Sequence, residues 1–344
     1  MTPYKTIKSV SGYKIIDSKL YYTLDDALYK EFDKIIEDVE GYSFWKLNSS
    51  LYYFNESTRF LQQENKTVEI LTPLFVDSIY GSRLACKNNF RRENRKWHWH
   101  TSIFDIKSAS IIVDLGLINF QVLYLNDSII VGYYEANELI CFDLESKAKE
   151  WQLSLSKLFF GSKYKKLIAT ENDSLIIGLT DSRILKIDLN RGEIIFNWHN
   201  VPGFNKSQFF KEVLPEADYF HFDSSRNNMI AFFASYIFEI DTESGDIKFE
   251  NVKEKLEEHR FNSFKLCNSV NPKNESYLVT GHADLEKYPN VDLSGILSIK
   301  KSTLDIESSY IFEETGLGTN TVLSRDQDIF VKDLNNRLHW LKNC

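Results

Sequence analysis

The segment NDSLIIGLTDSRILKIDLNRGEIIF (Asn172–Phe196) repeats an order of residues already present in NDSIIVGYYEANELICFDLESKAKEW (Asn126–Trp151), a step of 46 positions from Asn126 to Asn172. Each copy runs Asn-Asp-Ser, an apolar run, Gly, a turn, a second apolar run ending in Asp, a turn and a closing strand. Short apolar or alternating runs divided by Thr-Asp-Ser and Asn-Arg-Gly-Glu read as three β-strands joined by tight turns. NNMIAFFASYIFEIDTESGDIKF (Asn227–Phe249) keeps the Asp and the Ser-Gly turn, and HTSIFDIKSASIIV (His100–Val113) keeps the second half. Weaker copies occupy Lys19–Val39, Ser50–Leu71, Ser276–Ser302 and Gln327–Asn343. A further β-like segment precedes most of them, as in YKIID, YSFWKL, NFQVLYL, KKLIATE, ADYFHF and NTVLS, so the unit is four strands.

Four strands at a period of about 43 residues are the pattern of a β-propeller blade. Eight units fill 344 residues, and seven is the alternative if 256–320 is divided differently. The expectation is an all-β chain forming a single β-propeller domain over 1–344. The last unit stops after NTVLS, DIFVKDL and RLHWLKN, one strand short, and YKTIKSV (Tyr4–Val10) is expected to complete it. That pairing would cover a sheet edge otherwise free to template aggregation.

The segments CFDLESKAKEW (Cys141–Trp151), KIDLNRGEIIF (Lys186–Phe196), EIDTESGDIKF (Glu239–Phe249) and IFDIKSASIIV (Ile103–Val113) resemble the blade repeat of quinoprotein-like propellers, a WD40-like architecture. That pattern runs Ala-x-Asp-x-x-Thr-Gly-Lys-x-x-Trp. Asp105, Asp143, Asp188 and Asp241 match its Asp, and Gly192 and Gly245 its glycine. Trp151 matches the closing Trp, with Phe196 and Phe249 in the equivalent places. The resemblance implies a blade-locking role for these residues. It carries no quinone chemistry, because the calcium-binding set and aspartate base of those enzymes have no counterpart, and a shared fold licenses no activity.

Composition narrows the function classes. With 43% hydrophobic and 14% aromatic residues, the chain can bury large cores and favours strands. A net charge of −8 argues against broad binding to nucleic-acid phosphates. No signal-peptide core opens the sequence and no long apolar run suggests a membrane span, so a cytoplasmic protein is expected. Cys86, Cys141, Cys267 and Cys344 are widely spaced, as for thiols in a reducing compartment, with Cys86 and Cys141 in strand-like runs.

No Gly-rich phosphate loop, HExxH, GxSxG or zinc spacing occurs, so no catalytic residue, cofactor or metal is assigned. His98 and His100 share a strand face but lack a third ligand. His282 and Asp284 lack a nucleophile, and the pairs Asp25/Asp26 and Glu257/Glu258 read as solvated surface. The strand-end Asp residues read as caps of the turns that follow them.

The connections carry the functional signal. In a four-stranded antiparallel blade, the second-to-third and the blade-to-blade connections lie at one end. Asn88–His100 and Gly281–Gly295 read as long second-to-third loops, and Asn200–Asp218 and Asn251–Phe264 as blade-to-blade insertions with short helix-like runs. Long loops on rigid blades are common binding surfaces. Arg91, Arg92, Arg95 and Lys96 beside Trp97 and Trp99 are residue types enriched at interface hot spots. Phe209, Phe210, His282 and Tyr288 complete the candidate partner-binding set. The expectation is a non-enzymatic propeller, monomeric on its own, that grips a protein partner as a scaffold or as an immunity-type inhibitor. The alternative is an enzyme or a small-ligand or glycan binder with its site in the central channel.

Overall fold

A computed structural model describes residues 1–37, 44–47, 50–55, 60–63, 66–69, 75–108, 110–134, 137–207, 210–267, 275–283, 293–312, 315–317 and 322–342. Their contacts divide into two compact units, Met1–Glu37 with Trp198–Cys344, and Asp38–Asn197. The strands form eight four-stranded antiparallel sheets and one two-stranded hairpin, so the count is eight blades. In chain order the blades span 10–37, 44–69, 75–118, 120–154, 164–198, 220–251, 261–312 and 323–342, the last completed by Thr2–Ile7. This is the all-β organisation of a β-propeller.

The Asp38–Asn197 unit holds the second to fifth blades. In the fifth blade, every residue of Ser174–Leu179 is buried. A strand covered on both faces has no need of alternation, which explains the near-continuous apolar run SLIIGL. Leu175, Ile177, Leu185 and Ile187 pack on Val131, Leu139, Cys141 and Trp151 of the fourth blade. Each such side chain contributes about 1.5–3 kcal/mol on burial. Trp151 is the link between the two sheets: its indole Nε1 donates to the Leu189 carbonyl at 2.8 Å. Gly192 turns beneath that ring at φ +69°, where an added Cβ would lie 2.6 Å from the indole.

The other unit holds the remaining four blades and the hairpin Asn200–Ser207/Phe210–Val213. Thr2–Ile7 pairs antiparallel with Leu338–Lys342, from Thr2 opposite Lys342 to Ile7 opposite Leu338. The amino-terminal strand therefore completes the last blade, two residues earlier than Tyr4. Trp198 repeats the action of Trp151: it is buried and its Nε1 donates to the Gly245 carbonyl at 3.0 Å. Phe196, expected as the closing aromatic, is only half-buried, and the role falls to Trp198. Period-two alternation puts both on one strand face, so spacing alone does not choose between them. Phe249 is 37% exposed and packs on Phe204 and Phe238.

The strand-end aspartates cap their turns. Asp143 Oδ1 accepts from Ser146 N at 2.7 Å, Asp188 Oδ1 from Asn190 N and Arg191 N at 2.8 and 2.9 Å, and Asp241 Oδ1 from Glu243 N and Ser244 N at 2.8 Å. Asp105 Oδ2 accepts from Ser108 N at 2.9 Å. These bonds favour the ionised form and hold Asp143 and Asp241 below the usual carboxylate range.

Two expected elements differ. Asn88–His100 is not a loop but the end of a long hairpin, Arg83–Glu93 with Lys96–Asp105, turning on Asn94 and Arg95 at φ 49° and 64°. A two-residue turn with both residues left-handed matches strand twist, which keeps the pairing running to the tip. The insertion 200–218 is a β-hairpin followed by one 3-10 turn at Ala217–Tyr219, not a helix-like run. Glu212 at φ 55° lies outside right-handed helix, and Phe210–Val213 pairs with Asn200–Ser207 instead. The helix expected after Asn251 is present as Lys253–Glu258, anchored by buried Leu256. Lys253 pairs with Glu257 at 3.5 Å, while Asp25 and Asp26 are turn residues at φ 49° and 56°.

Candidate functional site

The third blade builds a projecting two-stranded tip. Its first strand pairs with the second only over Arg83–Lys87, and its fourth pairs with the third only over His100–Asp105. Beyond those limits Arg91 faces His98, Arg92 faces Trp97 and Glu93 faces Lys96, and among the described residues no further strand pairs with either. Asn119 clasps the base: it receives the Trp99 N–H on its Oδ1 at 3.3 Å and returns its own N–H to the Trp99 carbonyl at 3.0 Å.

Alternation sorts the tip side chains. Arg92 and Trp97 share a face, with the guanidinium 5.9 Å from the indole centroid, and Trp99 follows on that face with Lys87 Nζ 4.9 Å from its ring. Such cation–π contacts hold basic side chains against rings and cost little desolvation at the surface. On the other face Arg91 Nε lies 3.3 Å from Glu93. Arg91, Arg92, Arg95 and Lys96 are all exposed, and Trp97 is 57% exposed. Trp99 is half-buried, and its indole Nε1 is buried with no hydrogen-bond partner. The sequence-derived basic and aromatic set is thus brought together on one hairpin.

The remaining candidates are dispersed. His282 sits in Ser276–Ala283, half-buried opposite Ser294 and Ser263. Phe210 starts the second strand of the 200–213 hairpin opposite Ser207. Phe209, Asp284 and Tyr288 lie outside the described residues. Among the described residues no group of three His, Cys, Asp or Glu side chains could hold a metal ion, and no helix is long and apolar enough to cross a membrane.

Sequence reading missed one apolar contributor. The connection after the fourth blade carries the short helix Leu155–Leu158, with Leu158 53% exposed and Phe160 fully exposed. By strand order it lies at the end of its blade that matches the 91–98 tip of the third. The signal was present in SKLFFGSK, where two adjacent Phe cannot both face inward from one turn. Only Phe159 packs into the core shared by the fourth and fifth blades.

No family model matches the sequence, and no curated protein matches it closely enough to count as a relative. Solved structures do resemble it. Saccharomyces cerevisiae Sqt1 superposes at TM-score 0.62 with 8% identity, covering 99% of this chain and 98% of that one. The C-terminal WD40 domain of Sif2 gives TM-score 0.62 at 9% identity over 99% and 97%, and the designed protein Ika8 gives 0.59 at 8% over 97% and 96%. At these identities the likeness concerns fold alone, and that fold is a WD40-like β-propeller.

Proposed function

We propose that this protein is a non-enzymatic interaction propeller that binds an acidic protein partner through the end of its blades bearing the Arg91–Trp99 hairpin tip. The observation that carries the reading is the exposed Trp97 set among four exposed basic residues, on a chain whose net charge is −8. A local basic patch on an acidic protein steers an acidic partner to one place, and a large exposed ring supplies a desolvated anchor. Leu158 and Phe160 add apolar area at the corresponding end of the neighbouring blade. Scaffolding and immunity-type inhibition are both roles such a surface serves, and a partner activity abolished on binding selects inhibition. A cytoplasmic, monomeric protein fits this reading. The Trp151 contact with the Gly192 turn supports a quinoprotein-like origin for the repeat.

The test is affinity capture from the native organism with the wild-type chain and with Arg91→Glu/Arg92→Glu/Arg95→Glu, whose three sites are exposed. A stoichiometric protein retained by the wild type and lost by the charge reversal, at equal stability, supports the reading. Equal capture by both removes the hairpin from the interface.

A further inference from the structure

The unit Met1–Glu37 with Trp198–Cys344 has a recess of roughly 670 Å3 at the end of its blades where first-to-second and third-to-fourth turns gather. The sixth blade gives it Ser225 and Arg226, the seventh Glu275, Leu278, Ser298 and Lys301, and the eighth Asp326. Its size is that of a small-molecule site. Nothing in the proposed protein interface uses it.

Three features define what it would hold. First, its cations are already committed. Lys301 Nζ lies 2.8 Å from Asp223 and 3.0 Å from Ser225 Oγ, and Arg226 pairs with Glu239 and donates to the Tyr277 hydroxyl at 3.2 Å. Second, its two lining carboxylates, Glu275 and Asp326, are exposed and take part in no ion pair among the described residues. The recess is therefore negative on balance, because Asp223 and Glu239 neutralise the cations from behind. Third, Ser298 lies opposite Leu278 in the sheet, is 1% exposed, and its buried hydroxyl has no hydrogen-bond partner. A buried hydroxyl left unsatisfied is costly, so a donor that reaches it from the recess gains that bond. Among the described residues the lining includes five serines and no aromatic ring, which disfavours a sugar stacked on an aromatic platform.

We propose that this recess binds a small amine: its ammonium groups meet Glu275 and Asp326, and an N–H donates to the Ser298 hydroxyl at the floor. A citrate-like anion would have to displace Asp223 or Glu239 from its cation, and a neutral polyol would leave the carboxylate excess unanswered.

Calorimetric titration of the full chain with spermidine, trehalose and citrate at physiological salt tests this. Spermidine is expected to bind one to one with sub-millimolar affinity, and the other two not to bind. Glu275→Gln/Asp326→Asn is expected to weaken spermidine about tenfold, the combined effect of two partly screened charge pairs. Glu145→Gln/Glu193→Gln, an equal charge change elsewhere, is expected to leave it unchanged. No saturable spermidine binding, equal weakening by both double variants, or preferred binding of citrate or trehalose each overturns the proposal. The single variants Glu275→Gln and Asp326→Asn serve if the double variant loses stability.

Discussion

Lys301 Nζ lies 2.8 Å from Asp223 Oδ2, and this ion pair between the seventh and sixth blades is almost wholly buried, at 9% and 0% side-chain exposure. Burial alone would raise the Asp223 pKa, but bonds from Lys301, Ser225 and Tyr277 outweigh it and hold the carboxyl below its ordinary value. Lys301→Met strands a buried carboxylate and is expected to cost about 3 kcal/mol in urea unfolding. Lys301→Met/Asp223→Asn is expected to recover part of that loss. A Lys301→Met protein as stable as wild type would show that the pair contributes nothing.

Asp333, like Asp328 in the same blade, is held below the ordinary carboxylate range. It accepts from Asn335 N at 2.8 Å, Arg337 N at 2.9 Å, Arg337 Nε at 2.7 Å and His339 Nε2 at 2.8 Å. Burial opposes ionisation here too, and the hydrogen bonds from His339 and Arg337 prevail, leaving its pKa lowered. A carboxyl depressed in the folded state adds stability above its unfolded pKa, about 3.9, and loses it as pH falls toward the folded value. Urea midpoints are therefore expected to drop below about pH 4. The drop is expected to be shallower in Asp333→Asn, measured from its own neutral-pH midpoint.

How much of this was legible in the sequence depends on distance along the chain. Blade order and the capping role of Asp143, Asp188 and Asp241 follow from local pattern, and the amino-terminal completion of the last blade follows from the repeat, whose final unit is one strand short. The Asp223–Lys301–Tyr277–Arg226 cluster does not, because its members are brought together only by packing of two blades. In sequence the hairpin tip reads as a loop because its residues are polar and its turn is Asn-Arg, not the Asn-Gly that signals a left-handed pair. The run Arg91–Trp97 is exposed in the hairpin as it would be in a loop, since charged side chains stay in water in either form.

The Trp151 ring seated on the Gly192 turn is open to a direct test. Gly192→Ala places a methyl 2.6 Å from the ring at a left-handed position, and is expected to destabilise by about 2 kcal/mol or more. Trp151→Phe keeps much of the area but loses the bond to Leu189, at about 1–3 kcal/mol. Thermal or urea unfolding measures both, and a neutral Gly192→Ala would mean the turn relaxes freely.

Removing Met1–Ile7 strips the outer strand from Leu338–Lys342 and bares an edge. Lower stability and concentration-dependent light scattering are expected. Restoring the strand as a synthetic peptide should reverse the scattering, and an unaffected truncated protein would argue that the strand is dispensable.

Burial pushes the Cys141 thiol up to about 12, so almost no thiolate forms near neutrality. Cys86 and Cys267 are also buried, and neither is in a disulfide among the described residues. Peptide mapping after iodoacetamide treatment at pH 8 is expected to find all three unmodified in the folded protein and all three alkylated in urea.

The most direct test of the proposed interface puts a photoreactive p-benzoylphenylalanine at Trp97 in the full chain and irradiates it in a native extract. One crosslinked protein is expected, lost when Arg91, Arg92 and Arg95 are changed to Glu. No crosslink from position 97, with the same label at exposed Ile195 capturing a partner instead, would contradict it.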